Sequence, residues 1–154
     1  MRLKNIAKRI PFNHKTKIVD VLIAPPLHLD AKIGRCYSTA VRACQEIPGT
    51  TMVQGYLIQP CDEFSLRPTA DALVLKHYWN KTRGQFIDYS LQYLRDSVYV
   101  LDQDHSVNYV FSDWLMEDDY RYYTLGEKLS GPTQAELARL NDEKAKLQDQ
   151  GLRY

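Results

Sequence analysis

Cysteine is scarce in this chain: Cys36, Cys44 and Cys61 are the three among 154 residues. That number excludes a disulfide-stapled scaffold. No apolar run approaches the roughly 18 residues that a membrane-spanning helix needs, so no membrane partner is expected. Charge of one sign is not in excess: 20 Lys and Arg against 19 Asp and Glu leave +1, and the net charge singles out no partner. The opening MRLKNIAKRIPFNHK is basic but lacks the apolar centre of a signal peptide. A cytoplasmic location with reduced thiols is therefore the expectation. A phosphate-binding glycine loop, a serine nucleophile elbow, internal repeats and low-complexity tracts are also missing.

The remainder is ordinary globular composition, 44% hydrophobic and 25% charged, at a length that suits one domain. Charge is unevenly spread. Residues 1–42 carry nine basic side chains against Asp20 and Asp30, whereas residues 101–123 carry six acidic ones against Arg121. The basic stretch could meet an acidic partner, but only Phe12 interleaves its first cluster. Solvated faces of one dipolar domain are the plainer reading, and no nucleic-acid partner is expected.

Along the chain, Ile18 to Ile23 suggest a short strand or apolar turn closed by Pro25-Pro26. Gly34 precedes RCYSTAVRACQEI, where Ala40, Val41, Ala43, Cys44 and Ile47 recur at helical spacing until Pro48-Gly49. TMVQGYLI is a β-run interrupted by Gly55, and PCDEFSLRPT a loop. ALVLKHYWN and QFIDYSLQYL, joined by the turn NKTRG, read as an antiparallel hairpin. A capping box at Thr133 and Glu136 opens a last helix that closes at Gly151. Its Leu137, Leu140 and Leu147 span under three heptads, which favours packing on the domain over a coiled coil. The expected division is one domain over 1–131 and a helical extension over 132–154.

Three residues form a constellation. Cys36 falls in the first turn of its helix, where the dipole and free N–H groups favour a thiolate. Cys44 on the apolar helix face and Cys61 in a loop read as inert, the usual fate of a free cysteine. A four-residue loop over Lys81–Gly84 pairs Asn80 with Gln85, Trp79 with Phe86 and His77 with Asp88. Opposed residues share a face with Cβ atoms roughly 4.5–5.5 Å apart, so the carboxylate can fix the imidazole tautomer. A one-residue slip would turn Asp88 to the other face. A nucleophile at a helix start and a base held by a third group is the logic of a cysteine hydrolase triad.

The blocks Cys36-Tyr37-Ser38, Gln54-Gly55-Tyr56, His77-Tyr78-Trp79 and Ile87-Asp88-Tyr89-Ser90, within residues 34–91, resemble small bacterial and phage proteins of the papain-like and transglutaminase-like type. Tyr78 stands where that pattern has a small residue, Tyr89 where it has proline and Gln54 where it has an acid. The resemblance implies Cys36 as nucleophile, His77 as base and Asp88 as its orienter. It also implies an α+β, papain-like fold in which the Cys-bearing helix packs on an antiparallel sheet, and for a phage protein the host cytoplasm. Tyr37, Tyr56 and Trp79 are candidate substrate-lining residues.

The expected chemistry is acyl transfer or hydrolysis of a peptide, isopeptide or amide bond through a Cys36 thioester. Protein or peptide is the substrate and no cofactor is needed. His14, His28 and His105 lack ligand partners at metal-site spacing, so they read as surface residues and no metal is expected. The rival expectation is a non-catalytic binding domain on the same fold that presents the Tyr-rich acidic segment 99–123.

Overall fold

The computed structural model describes residues 2–12, 14–24, 36–63, 65, 67–90, 96–104, 120–125, 129–131 and 133–149. Pro25-Pro26, His28, Gly34, His105, Pro132, Gly151 and acidic-segment residues 105–119 lie outside them, as do the side chains of Leu140 and Leu147. The described elements run α1 (Arg2–Arg9), β1 (Thr16–Val19), β2 (Leu22–Ile23), α2 (Cys36–Glu46), β3 (Thr50–Pro60), β4 (Ala72–Thr82), β5 (Gln85–Asp88), β6 (Val98–Asp102), β7 (Tyr120–Tyr123) and α3 (Gln134–Asp149). The class is α+β. The strands form one curled, mixed sheet in the order β1-β6-β3-β4-β5-β2, with β7 also on β4. Only β2 with β5 is parallel among these pairs.

Alternation along the strands sorts the core into two faces. Met52, Ile58, Val74, Tyr78 and Val100 point to one face, and both α1 and α2 pack there. Leu57, Leu75, Trp79 and Tyr99 point to the other and form a second cluster with Val19, Val53 and Phe86. Helix α1 was not expected from the basic opening segment. Its Leu3 and Ala7, with Ile10 just beyond, are buried at helical spacing while the cations face away. Burying Leu3 and Ile10 is worth about 1.5–3 kcal/mol each, enough to hold a short helix that would be marginal alone. No helix among the described residues is long and apolar enough to cross a membrane.

Three further expectations need correction. The β-run around Gly55 is one unbroken strand of 11 residues. A Cβ at Gly55 would lie 2.1 Å from the Val100 carbonyl oxygen and 2.7 Å from the Trp79 ring, so glycine is what lets β6 and Trp79 approach. The hairpin turn is two residues, Arg83-Gly84 with φ of 52° and 85°, not four. Both dihedrals are positive, as a type I′ turn demands, and the register becomes Asn80 opposite Ile87 and Lys81 opposite Phe86. Finally, β5 stops at Asp88 instead of running on. The Asp88 Oδ1 accepts the Ser90 backbone N–H at 2.9 Å, an Asx turn that bends the chain out of the ladder.

The last helix starts as its capping box requires. Thr133 Oγ1 accepts the Glu136 N–H and Glu136 Oε1 accepts the Thr133 N–H, both at 3.2 Å. Arg67 ties this start to the body of the protein, donating to Glu136 Oε1 and to Ser130 Oγ, each at 2.7 Å, with its guanidinium 4.3 Å from the Tyr122 ring.

Candidate active site

One edge of β4 is shared end to end. Among the described residues, 72–75 pair with β7 and 80–82 with β5. His77 lies between these two stretches. Its face is the one opposite the helices, because it is aligned with Gly55 on β3 and alternates with Tyr78. The corrected hairpin register moves Asp88 two positions along, from directly opposite His77 to diagonal. A two-residue shift preserves the face, and the diagonal distance is still within reach of an imidazole and a carboxylate. The His77 Nε2–H donates to Asp88 Oδ2 at 2.8 Å.

Among the described residues, four hydrogen bonds converge on Asp88. Besides His77, the Tyr99 hydroxyl donates to Oδ2, and the Ser90 N–H and hydroxyl both donate to Oδ1. Burial alone would raise this carboxyl; the His77 imidazolium and then the hydrogen bonds from His77, Ser90 and Tyr99 outweigh it and lower its pKa. Burial alone would lower His77; the charges of Asp88 and Cys36 and the bonds to both overcome it, and the ring is pushed up to about 10. A pair that stays ionised at 1–2% side-chain exposure is held by those donors, not by water.

Cys36 is the first residue of α2, and its side chain lies close enough to the His77 ring to help raise its pKa. Cys36 also belongs to the cluster that joins α2 to Tyr78, on the helix-bearing face. Cys36 therefore meets groups from both faces of β4. The structure therefore brings Cys36, His77 and Asp88 together. All three are buried, Cys36 to 3% exposure.

The expected lining residues fare differently. Trp79 is in the site but 1% exposed, stacked on His77 with ring centroids 6.0 Å apart and edge-on to Tyr99 at 5.1 Å. It packs the histidine and offers no surface to a substrate. Its indole N–H is buried without a hydrogen-bond partner among the described residues. Tyr37 lies beside Cys36 and packs edge-on against Tyr78 at 5.0 Å, its hydroxyl likewise without a described partner. Tyr56 is a correction. The register that aligns Gly55 with His77 turns Tyr56 to the opposite face, against Phe12 and His14.

His14 is a second correction, being no free surface residue. Its Nε2 lies 3.5 Å from Asp102 Oδ2 and 3.3 Å from the Tyr56 hydroxyl. Two members of the His77 site, Tyr99 and Ser90, went unread in the sequence. Ser90 had a local signal, the Asp-x-Ser spacing of an Asx turn; Tyr99, on a strand two places away in the sheet, had none. Cys44 and Cys61 lie apart from the His77–Asp88 pair as expected, and burial pushes the Cys44 thiol up against the opposing hydrogen bond from Asn80. Among the described residues no three His, Cys, Asp or Glu side chains gather as metal ligands. Comparison with protein-family models, curated proteins and solved structures found no match to the chain.

Proposed function

We propose that the protein is a cysteine-dependent acyl transferase or hydrolase with a papain-like, transglutaminase-like core. The observation that carries this reading is the buried imidazole of His77, hydrogen-bonded to Asp88 Oδ2, with the Cys36 side chain close enough to help raise its pKa. An imidazolium beside a cysteine at a helix start is the setting that favours a thiolate.

In this reading Cys36 Sγ attacks the carbonyl carbon of a peptide, isopeptide or amide bond, and its proton passes to His77. First-turn N–H groups of α2, which have no partner within their own helix, face the developing oxyanion. The tetrahedral species collapses by breaking the C–N bond. The leaving amine takes the proton from His77, and the acyl group remains as a Cys36 thioester. Water, or a second amine in a transfer reaction, then attacks the thioester while His77 accepts its proton. The product acid or amide departs, and that proton returns to the Cys36 sulfur. Asp88 orients the ring and stabilises its cation throughout, and no cofactor enters.

The deep burial of Cys36, His77 and Asp88 favours a second reading, a non-catalytic binding domain whose polar cluster serves the fold. Thiol alkylation separates the two. For the enzyme, iodoacetamide at pH 6 labels Cys36 at least about tenfold faster than Cys61, and His77→Gln abolishes the excess while the fold is retained. Protection of Cys36 until the protein unfolds would overturn the catalytic reading.

A further inference from the structure

The two oxygens of Asp88 are held by different kinds of donor. Oδ1 accepts from Ser90 twice, through the backbone N–H at 2.9 Å and through the hydroxyl. Oδ2 is shared by the His77 ring and the Tyr99 hydroxyl. Tyr99 comes from β6, three places from β5 in the sheet order, and its ring centroid lies 5.9 Å from that of His77. The proton between His77 Nε2 and Asp88 Oδ2 can sit on either partner. On the imidazole it leaves an ion pair, and on the carboxyl it leaves two neutral groups. Burial is the largest influence on each partner and favours the neutral form, since the two side chains keep only 2% and 1% of their surface. Donors aimed at the carboxylate favour the ion pair, because they bind a charged oxygen more strongly than a protonated one. The titratable groups that act on the ring are Asp88 from β5 and Cys36 from α2, while the neutral indole of Trp79 stacks on it.

Within the acyl-transfer reading, on which this inference rests, we propose that Tyr99 is a positioning residue that keeps the shared proton on His77 instead of Asp88. The consequence falls on the sulfur. An imidazolium sustains a Cys36 thiolate by charge attraction, and a neutral imidazole does not. Tyr99 therefore acts on the nucleophile through Asp88 and His77, without touching substrate. Ser90 is the natural contrast. Removing its hydroxyl leaves its backbone N–H on Oδ1, whereas removing the Tyr99 hydroxyl takes a donor from the oxygen that contacts the shared proton.

Two readouts on the full chain test this: the pH profile of Cys36 labelling by iodoacetamide, and the nitrogen chemical shifts of the His77 ring at pH 7. In Tyr99→Phe the labelling midpoint is expected to rise by roughly half a pH unit or more, which slows labelling at pH 6 at least about threefold. The His77 ring nitrogens should move from the protonated toward the neutral range. Ser90→Ala should change labelling at pH 6 by less than about twofold. Should Tyr99→Phe fail to fold, 3-fluorotyrosine at position 99, a stronger donor of nearly the same shape, must move the labelling midpoint the other way, to lower pH. A folded Tyr99→Phe protein with the wild-type labelling profile overturns the inference and leaves the acyl-transfer reading standing. Slower labelling with the His77 ring still fully protonated also overturns it, because the loss would then be structural. Protection of Cys36 in the wild type overturns the acyl-transfer reading and this inference with it.

Discussion

The molecule contains two His–Asp pairs built on one local plan, on opposite faces of one sheet. Asp88 and Asp102 each end a strand, and each uses Oδ1 to accept the backbone N–H two residues on, at 2.9 and 3.0 Å. Each offers Oδ2 to a histidine and to one further side chain, Tyr99 for Asp88 and Gln54 for Asp102. The pairs differ in what surrounds them. His77 meets Asp88 at 2.8 Å with both side chains almost fully buried, whereas His14 meets Asp102 at 3.5 Å and keeps 17% of its surface. The same short-range chemistry yields a tight, ionised pair in a dry setting and a longer, partly exposed contact at His14. Burial and a cysteine neighbour make the first a candidate for proton transfer.

Removing the carboxylates should separate the two pairs most sharply. Asp88→Ala leaves a buried imidazole and the Tyr99 hydroxyl without their acceptor, and is expected to cost about 3–5 kcal/mol in urea unfolding. Asp102→Ala, with a partly exposed partner, is expected to cost about 1–2 kcal/mol. Equal losses would mean that burial is not what distinguishes the pairs.

The pH dependence of stability sharpens the same contrast. His77 is held up to about 10, above its ordinary 6.5. A raised pKa stabilises the fold fully below the unfolded value, so the contribution of His77 is complete below about pH 6.5 and is lost as pH rises through about 10. Asp88 is lowered, so its contribution is complete above the ordinary carboxylate range and is lost as pH falls through its lowered value. The difference in urea midpoint between wild type and His77→Gln should therefore shrink steadily from pH 6 to 10. A difference that grows over that range would reverse the assignment of charge to the pair.

Tyr99→Phe removes one donor from a charged, buried acceptor without opening a cavity. The expected loss is about 1.5–3 kcal/mol, read by urea unfolding. The smallest effect belongs to His14→Gln: under about 1 kcal/mol in stability by urea unfolding, as for partly exposed pairs. A large loss of stability at His14 together with a negligible one at Tyr99 would invert the comparison between the faces.

Local signals in the chain were sufficient for several elements. The end of α2 at Pro48-Gly49, the capping box of Thr133 and Glu136, and the existence of the β4–β5 hairpin follow from residues a few positions apart. Face parity also survived an error. Placing His77 and Asp88 on one side depended on an even offset, and the two-residue turn changed that offset by two. The exact turn was less legible, because Arg83 is not a residue that advertises a left-handed conformation.

What short-range pattern determined, then, is that α2, α3, the strand around Gly55 and the β4–β5 hairpin form, and that His77 and Asp88 share a face; periodicity and turn chemistry act within a few residues. Tertiary structure alone decided the rest. Tyr99 reaches Asp88, Tyr56 turns away from His77, His14 finds Asp102, and the first residue of α2 comes beside His77. Each of these depends on the register between strands joined by long connections, such as β3 with β4 and β3 with β6. Such registers are settled by packing across the whole sheet, where Gly55 must pass under Trp79 and against Val100, and no local sequence signal encodes that fit.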